Sequence, residues 1–130
     1  MAHPNEEMVR RGYDAFGKGD LATIDGQWED DIVWRSYGNS PFVGEYRGKQ
    51  AVFELFGTIP QETETFELDL HDVLANDEHA VALVNFRMTR NGRTFEGQAV
   101  HVFHVNDAGR VTESWYQPID ESAVPDGFWD

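Results

Sequence analysis

The hydrophobic pattern of this chain changes period once, and that change constrains the fold more than any other feature. Before Pro60 the apolar residues recur at three- and four-residue spacing. Met8, Val9, Gly12, Tyr13 and Phe16 predict an amphipathic helix over Asn5 to Phe16, capped by Asn5 and stopped by Gly17 and Gly19. Asp20 is placed to cap a second, short helix carrying Leu21, Ile24 and Trp28. The pair Asp30-Asp31 then breaks the pattern before a strand that begins at Ile32-Val33-Trp34. The stretch from Gly38 to Gly48 reads as a loop, and Ala51, Val52, Leu55 and Phe56 predict a third helix ending at Gly57.

Beyond Pro60 the period is two. Phe66, Leu68 and Leu70 alternate with Glu67, Asp69 and His71, and Asn76-Asp77-Glu78 turns the chain into a strand from Ala80 to Met88. Asn91-Gly92, a strong hairpin signal, leads into Thr94 to Val105, and Asp107-Ala108-Gly109 turns into Arg110 to Tyr116. Ile119 to Asp130 reads as a tail whose Phe128 and Trp129 need a packing partner. The order helix, helix, strand, helix, then four strands predicts an α+β fold in one domain over residues 1–130. Its three N-terminal helices are expected on one face of a strongly curved, mostly antiparallel sheet shaped as a half-closed cone. The concave side is a natural small-molecule pocket, and the outer side is free to pair with a second subunit.

Charge narrows the partners. With 24 Asp+Glu against 10 Lys+Arg, a net charge of −14, the chain lacks the clustered cations that bind nucleic acid or an anionic membrane. Arg87, Arg90 and Arg93 read as a solvated hairpin end. The absence of cysteine excludes disulfides, thiolate metal sites and a cysteine nucleophile. The polar, acidic start resembles no signal peptide, and no apolar run approaches the ~18 residues of a membrane span, so a cytoplasmic protein is expected. No P-loop, G-x-G-x-x-G or G-x-S-x-G occurs, and no cofactor is expected. His101 and His104 lie an odd number of residues apart on one strand and so face opposite ways; no metal site is expected.

Alternation sorts the pocket candidates. Ile32, Trp34 and Ser36 share one face, as do Ala82, Val84, Phe86 and Met88, and again Ala99, His101, Phe103 and Val105. With Phe56 and Trp115 these supply the expected ligand-binding wall: Trp34, Ser36, Phe56, Val84, Phe86, Met88, Ala99, Phe103 and Trp115. His101 is the only titratable group in the inward sets. It is either a general acid/base whose pKa is easily brought near the working pH, or a core histidine held by one hydrogen bond. Tyr13 is either a hydroxyl donor to the cavity or a core aromatic. Asp120 is the carboxylate expected to orient His101 or accept a proton. On the opposite face Val81, Leu83, Val100 and Val102 form an apolar stripe, which predicts a two-fold homodimer.

The element order, together with Tyr13, Gly19-Asp20, Asp30-Asp31, Gly44-Glu45-Tyr46-Arg47-Gly48, Asn91-Gly92 and the closing run from Asp107 to Trp115, resembles the NTF2-like superfamily. Within it the chain is most similar to SnoaL-like and ketosteroid-isomerase-like proteins. That resemblance implies the cone fold and the homodimer. Ketosteroid isomerases use an aspartate base and an oxyanion hole made by a tyrosine and a neutral aspartic acid; their pattern falls here on Ser36, Tyr13 and His101. Only the tyrosine matches, and a serine does not take up a proton at neutral pH. Epoxide hydrolases of the superfamily imply a carboxylate just past a tryptophan of the last strand, which matches Asp120, but the Arg-x-Asp they also use is missing. Two functions stand open: a cofactor-independent isomerase, cyclase or dehydratase acting on a small apolar substrate, with His101, Tyr13 and Asp120 as its machinery, or a non-catalytic ligand-binding or dimerisation domain.

Overall fold

Pro4 opens helix α1 (Pro4–Lys18) at a position where its missing N–H costs no helical hydrogen bond. The cap is His3, whose ring Nδ1 accepts the Asn5 N–H at 3.0 Å, and not Asn5 as the sequence suggested. Asn5 lies inside the helix and does a different job. Its side-chain amide donates to the carbonyls of Asn76 at 2.9 Å and Asp77 at 3.3 Å, tying the start of α1 to the turn after the third strand. Gly19 ends the helix in the left-handed conformation.

These relations come from a computed structural model that describes residues 2–121 and 124–130. The Asp20 side chain caps α2 (Leu21–Gln27) by accepting the Thr23 N–H at 3.2 Å. Strand β1 (Trp28–Ser36) begins earlier than expected. Trp28 belongs to it and not to α2, because its backbone pairs with Val111, and Asp30 and Asp31 are carried within the strand. The expected loop contains a strand as well: β2 (Gly44–Arg47) pairs with β1 from Val33 to Ser36. Helix α3 (Lys49–Glu62) continues past Gly57 and takes Pro60 into its last turn.

The remaining strands are β3 (Thr65–Ala75), β4 (His79–Arg90), β5 (Arg93–Val105) and β6 (Val111–Pro118). Asn91 and Gly92, with φ of 52° and 75°, make the tight turn that pairs Arg90 with Arg93. The sheet runs β2-β1-β6-β5-β4-β3. Every neighbouring pair is antiparallel except β1 and β6, which are parallel. The α+β class, the three helices and the mostly antiparallel sheet agree with the sequence reading, with one strand more than it contained. Among the described residues no helix is long and apolar enough to cross a membrane.

Two groups of buried side chains form the interior. One joins Met8, Val9, Ile24, Trp28, Ile32, Val52, Val84 and Phe103 with their neighbours. The other gathers Phe86, Met88, Phe95 and Ala99 around Phe128 of the tail, which is 2% exposed. The tail finds its partners here: Trp129 meets Phe42 edge to face at 5.5 Å. Two arginines of the hairpin hold it there; the solvated hairpin end is corrected for Arg90, which is partly buried, while Arg93 stays exposed. Arg90 donates to the Glu62 carboxylate at 2.9 Å and the Trp129 carbonyl at 3.3 Å, and Arg93 donates to the Asp126 carbonyl at 2.9 Å. Each guanidinium also lies 5.8 Å from an aromatic ring of the tail.

Candidate active site

A cavity of about 120 Å³ opens between α1, α2, α3 and the inner face of the sheet. Its wall is aromatic. Trp28 meets Trp34 at 5.5 Å, Trp34 meets Phe56 at 5.4 Å, and Phe16 meets Phe56 at 5.1 Å. No Asp, Glu, Lys or Arg lines it among the described residues. A cavity of this size is smaller than the ~300 Å³ and upward that drug-sized ligands occupy, and close to the ~150 Å³ of an engineered apolar cavity that binds benzene.

Polar groups enter at few points, and three of them are joined. The Tyr13 hydroxyl lies 2.7 Å from His101 Nδ1, and His101 Nε2 is hydrogen-bonded to Ser114 Oγ. Tyr13 comes from the apolar stripe of α1, His101 from β5 and Ser114 from the adjoining β6. The imidazole is 3% exposed and packed among rings, with Trp34 at 4.8 Å, Phe103 at 3.9 Å and Tyr116 at 5.4 Å between centroids. Burial lowers its pKa from 6.5 to about 3, because no charged partner offsets the loss of hydration of the imidazolium. The expectation of a pKa near the working pH is thereby corrected: at neutral pH His101 is an uncharged imidazole with one donor and one acceptor nitrogen. Burial, and secondarily Tyr116, raises the Tyr13 pKa well above 10, so its phenol keeps its proton. Tyr116 is raised by burial in the same way.

The structure brings Tyr13, His101, Trp34, Ser36, Phe56 and Phe103 to one cavity wall. It places the other expected residues elsewhere. Val84, Phe86, Met88 and Ala99 are buried but do not line the cavity. Phe86, Met88 and Ala99 face the end of the sheet that Phe128 fills, and Phe86 lies against its cross-strand partner Gly97, where an added Cβ would stand 2.6 Å from the ring. Trp115 is on the outer face, paired with Val102 and lying 5.3 Å from the Arg35 guanidinium, because Ser114 and Tyr116 on either side of it face inward. Asp120 is exposed beyond the end of β6 and does not line the cavity. It does not orient His101, whose two nitrogens are taken by Tyr13 and Ser114.

Ser114, Tyr116 and Gln27 were missed by the sequence reading. Alternation along β6 puts the first two inward on either side of Trp115. Gln27 Nε2 donates to the Met8 carbonyl at 3.0 Å, and its Oε1 lies where a Cβ on Gly12 would stand, at 2.7 Å. The lack of a side chain at Gly12 leaves that space. Nothing in the local pattern around Gln27 marks it as a cavity residue.

The sheet order and the helices packed on it define an NTF2-like fold. An NTF2-like protein of unknown function from Burkholderia pseudomallei superposes with a TM-score of 0.82 at 23% identity, covering 90% of this chain and 92% of that one. The SnoaL-like domain family matches residues 9–114, and the chain belongs to that family. It is 32% identical to Bal32a, from a soil-derived mobile gene cassette, whose structure superposes with a TM-score of 0.87 over 98% of this chain and 97% of that one. It is also 29% identical over 125 residues to the uncharacterized protein Rv0034 of Mycobacterium tuberculosis, covering 95% of this chain and 94% of that protein.

Proposed function

We propose that the chain binds a small, neutral, largely apolar molecule of about one ring in this cavity, and that the Tyr13 hydroxyl donates to an oxygen of that molecule. The observation that carries this reading is the Tyr13–His101–Ser114 chain, the linked polar groups of a mostly apolar wall that also carries Ser36, Gln27 and Tyr116. A phenol held neutral by burial is a strong directed donor in a water-poor chamber, where a hydrogen bond to a developing oxyanion stabilises more than it would in water. The chemistry that follows is cofactor-independent activation of a carbonyl or hydroxyl oxygen, the acid half of an isomerisation, cyclisation or dehydration. Trp34, Ser36, Phe56 and Phe103 shape the bound molecule. His101 acts as the neutral partner of Tyr13 and not as a charged acid.

A second reading, binding without turnover, is favoured by one observation: among the described residues no carboxylate stands on the wall to take a proton from carbon. Cyclohexanone separates the two. A two-dimensional NMR titration should move the Trp34 indole and His101 ring signals while leaving Trp115 in place. Exchange of the α-hydrogens of bound cyclohexanone in D2O faster than in buffer supports catalysis. Binding without accelerated exchange supports the carrier reading, and no shift at the cavity residues overturns both.

The outer face completes the proposal. Val81, Leu83, Val100, Val102 and Trp115 are half-buried on the side of the sheet away from the helices, and they suit a two-fold homodimer formed by that face. The strongly curved, cone-like sheet and a cytoplasmic setting belong to this same reading.

A further inference from the structure

Counting hydrogens in the buried chain gives it a direction. Ser114, a neutral His101 and Tyr13 together carry three hydrogens able to form hydrogen bonds, and the chain contains two hydrogen bonds. One hydrogen is left over, at one end or the other. If Tyr13 donates to Nδ1, then Nε2–H donates to Ser114 and the Ser114 hydrogen is left unspent. If Ser114 donates to Nε2, then Nδ1–H donates to the Tyr13 oxygen and the Tyr13 hydrogen is free.

The two ends are not equivalent. Both residues line the cavity, but Ser114 is 0% exposed where Tyr13 is half-buried, and among the described residues the Ser114 hydroxyl has no hydrogen-bond partner except His101. A hydrogen stranded there is a buried unsatisfied donor, the costly outcome. Tyr13 is half-buried on the cavity wall, where its hydrogen can meet an oxygen that enters. We infer that Ser114 is a positioning residue: by donating to His101 Nε2 it holds the ring in the Nδ1–H tautomer, which in turn donates to the Tyr13 oxygen and directs the Tyr13 O–H into the cavity. The site is then built to recognise a hydrogen-bond acceptor, and a ligand of the same shape without an oxygen gains nothing from it. This inference rests on the reading of Tyr13 as the donor to the ligand.

The test is the tautomer itself. In protein labelled with 15N-histidine, two-bond nitrogen–proton correlations report which ring nitrogen of His101 carries hydrogen. The expected result is Nδ1–H in the wild type and in Ser114→Thr, which keeps the hydroxyl. Ser114→Ala removes the hydrogen that Nε2 accepts, so it should leave both tautomers populated and weaken cyclohexanone binding several-fold while leaving methylcyclohexane binding unchanged. An Nε2–H ring in the wild type overturns the inference without any variant, and so does a Ser114→Ala protein with unchanged tautomer and unchanged preference for the ketone. If neither cyclohexanone nor methylcyclohexane binds, it is the small-molecule reading that falls, and the wild-type tautomer still decides the role of Ser114.

Discussion

The Tyr13 hydroxyl and His101 Nδ1, 88 positions apart in the chain, stand 2.7 Å from each other inside an apolar cavity. Each residue sets the state of the other. The rings around His101 keep it neutral, a neutral ring leaves one nitrogen to donate and one to accept, and the phenol completes the pair.

The neutrality of His101 makes stability depend on pH in a defined window. An unfolded imidazole takes up a proton near 6.5, while the folded one does so only at about 3. Between these values the unfolded state binds more protons, so stability rises with pH and is lost as pH falls from about 6.5 toward 3, by ~1.4 kcal/mol per pH unit. Urea melts at several pH values, on the wild type and on His101→Asn, separate this contribution from that of the carboxylates, which both proteins share. The wild type should show the steeper fall below pH 6.5, and parallel curves contradict a buried neutral imidazole.

Removing the tail's anchor should be expensive. Phe128 is 2% exposed among Phe86, Phe95 and Ala99, and Phe128→Ala should cost ~3 kcal/mol or more in urea unfolding. Phe128→Leu should cost well under half as much. A loss within ~0.5 kcal/mol for the alanine variant would mean that the tail does not pack there.

Charge placed on the outer stripe should separate subunits without harming the fold. Leu83→Lys sits among Val81, Val100 and Val102 on the face opposite the cavity. Analytical ultracentrifugation should find the wild type as a dimer and this variant as a monomer with an unchanged circular dichroism spectrum. A monomeric wild type at tens of micromolar refutes the homodimer.

What the sequence made legible was what depends on near-neighbour periodicity. The inward faces of β4 and β5 follow from alternation, and the Asn91-Gly92 turn follows from its residues. Strand β2 was hidden because Gly44-Glu45-Tyr46-Arg47 presents no apolar stripe; only its pairing with β1 makes it a strand. Trp115 was assigned to the wrong face. On β6 one extra residue, Thr112, stands opposite the step from His104 to Val105, so Val111 and Ser114 both face inward although three positions separate them, and a phase carried from Val111 fails. The cavity end taken by Phe128 depends on a chain path that no local pattern encodes. His101 was found as a residue with two states left open, because the low pKa that decides between them comes from the rings that converge on it from β1, β5 and β6, and sequence distance conceals that convergence.

The central claim is that Tyr13 presents a hydrogen-bond donor to a one-ring ligand in the cavity, and calorimetric titration of cyclohexanone into the wild type and Tyr13→Phe tests it most directly. Losing one directed hydrogen bond in a dry site corresponds to ~1.4 kcal/mol, about tenfold in affinity. The prediction is a Kd about ten times higher for Tyr13→Phe, with methylcyclohexane bound equally by both proteins. Equal affinity of the two proteins for the ketone would contradict it.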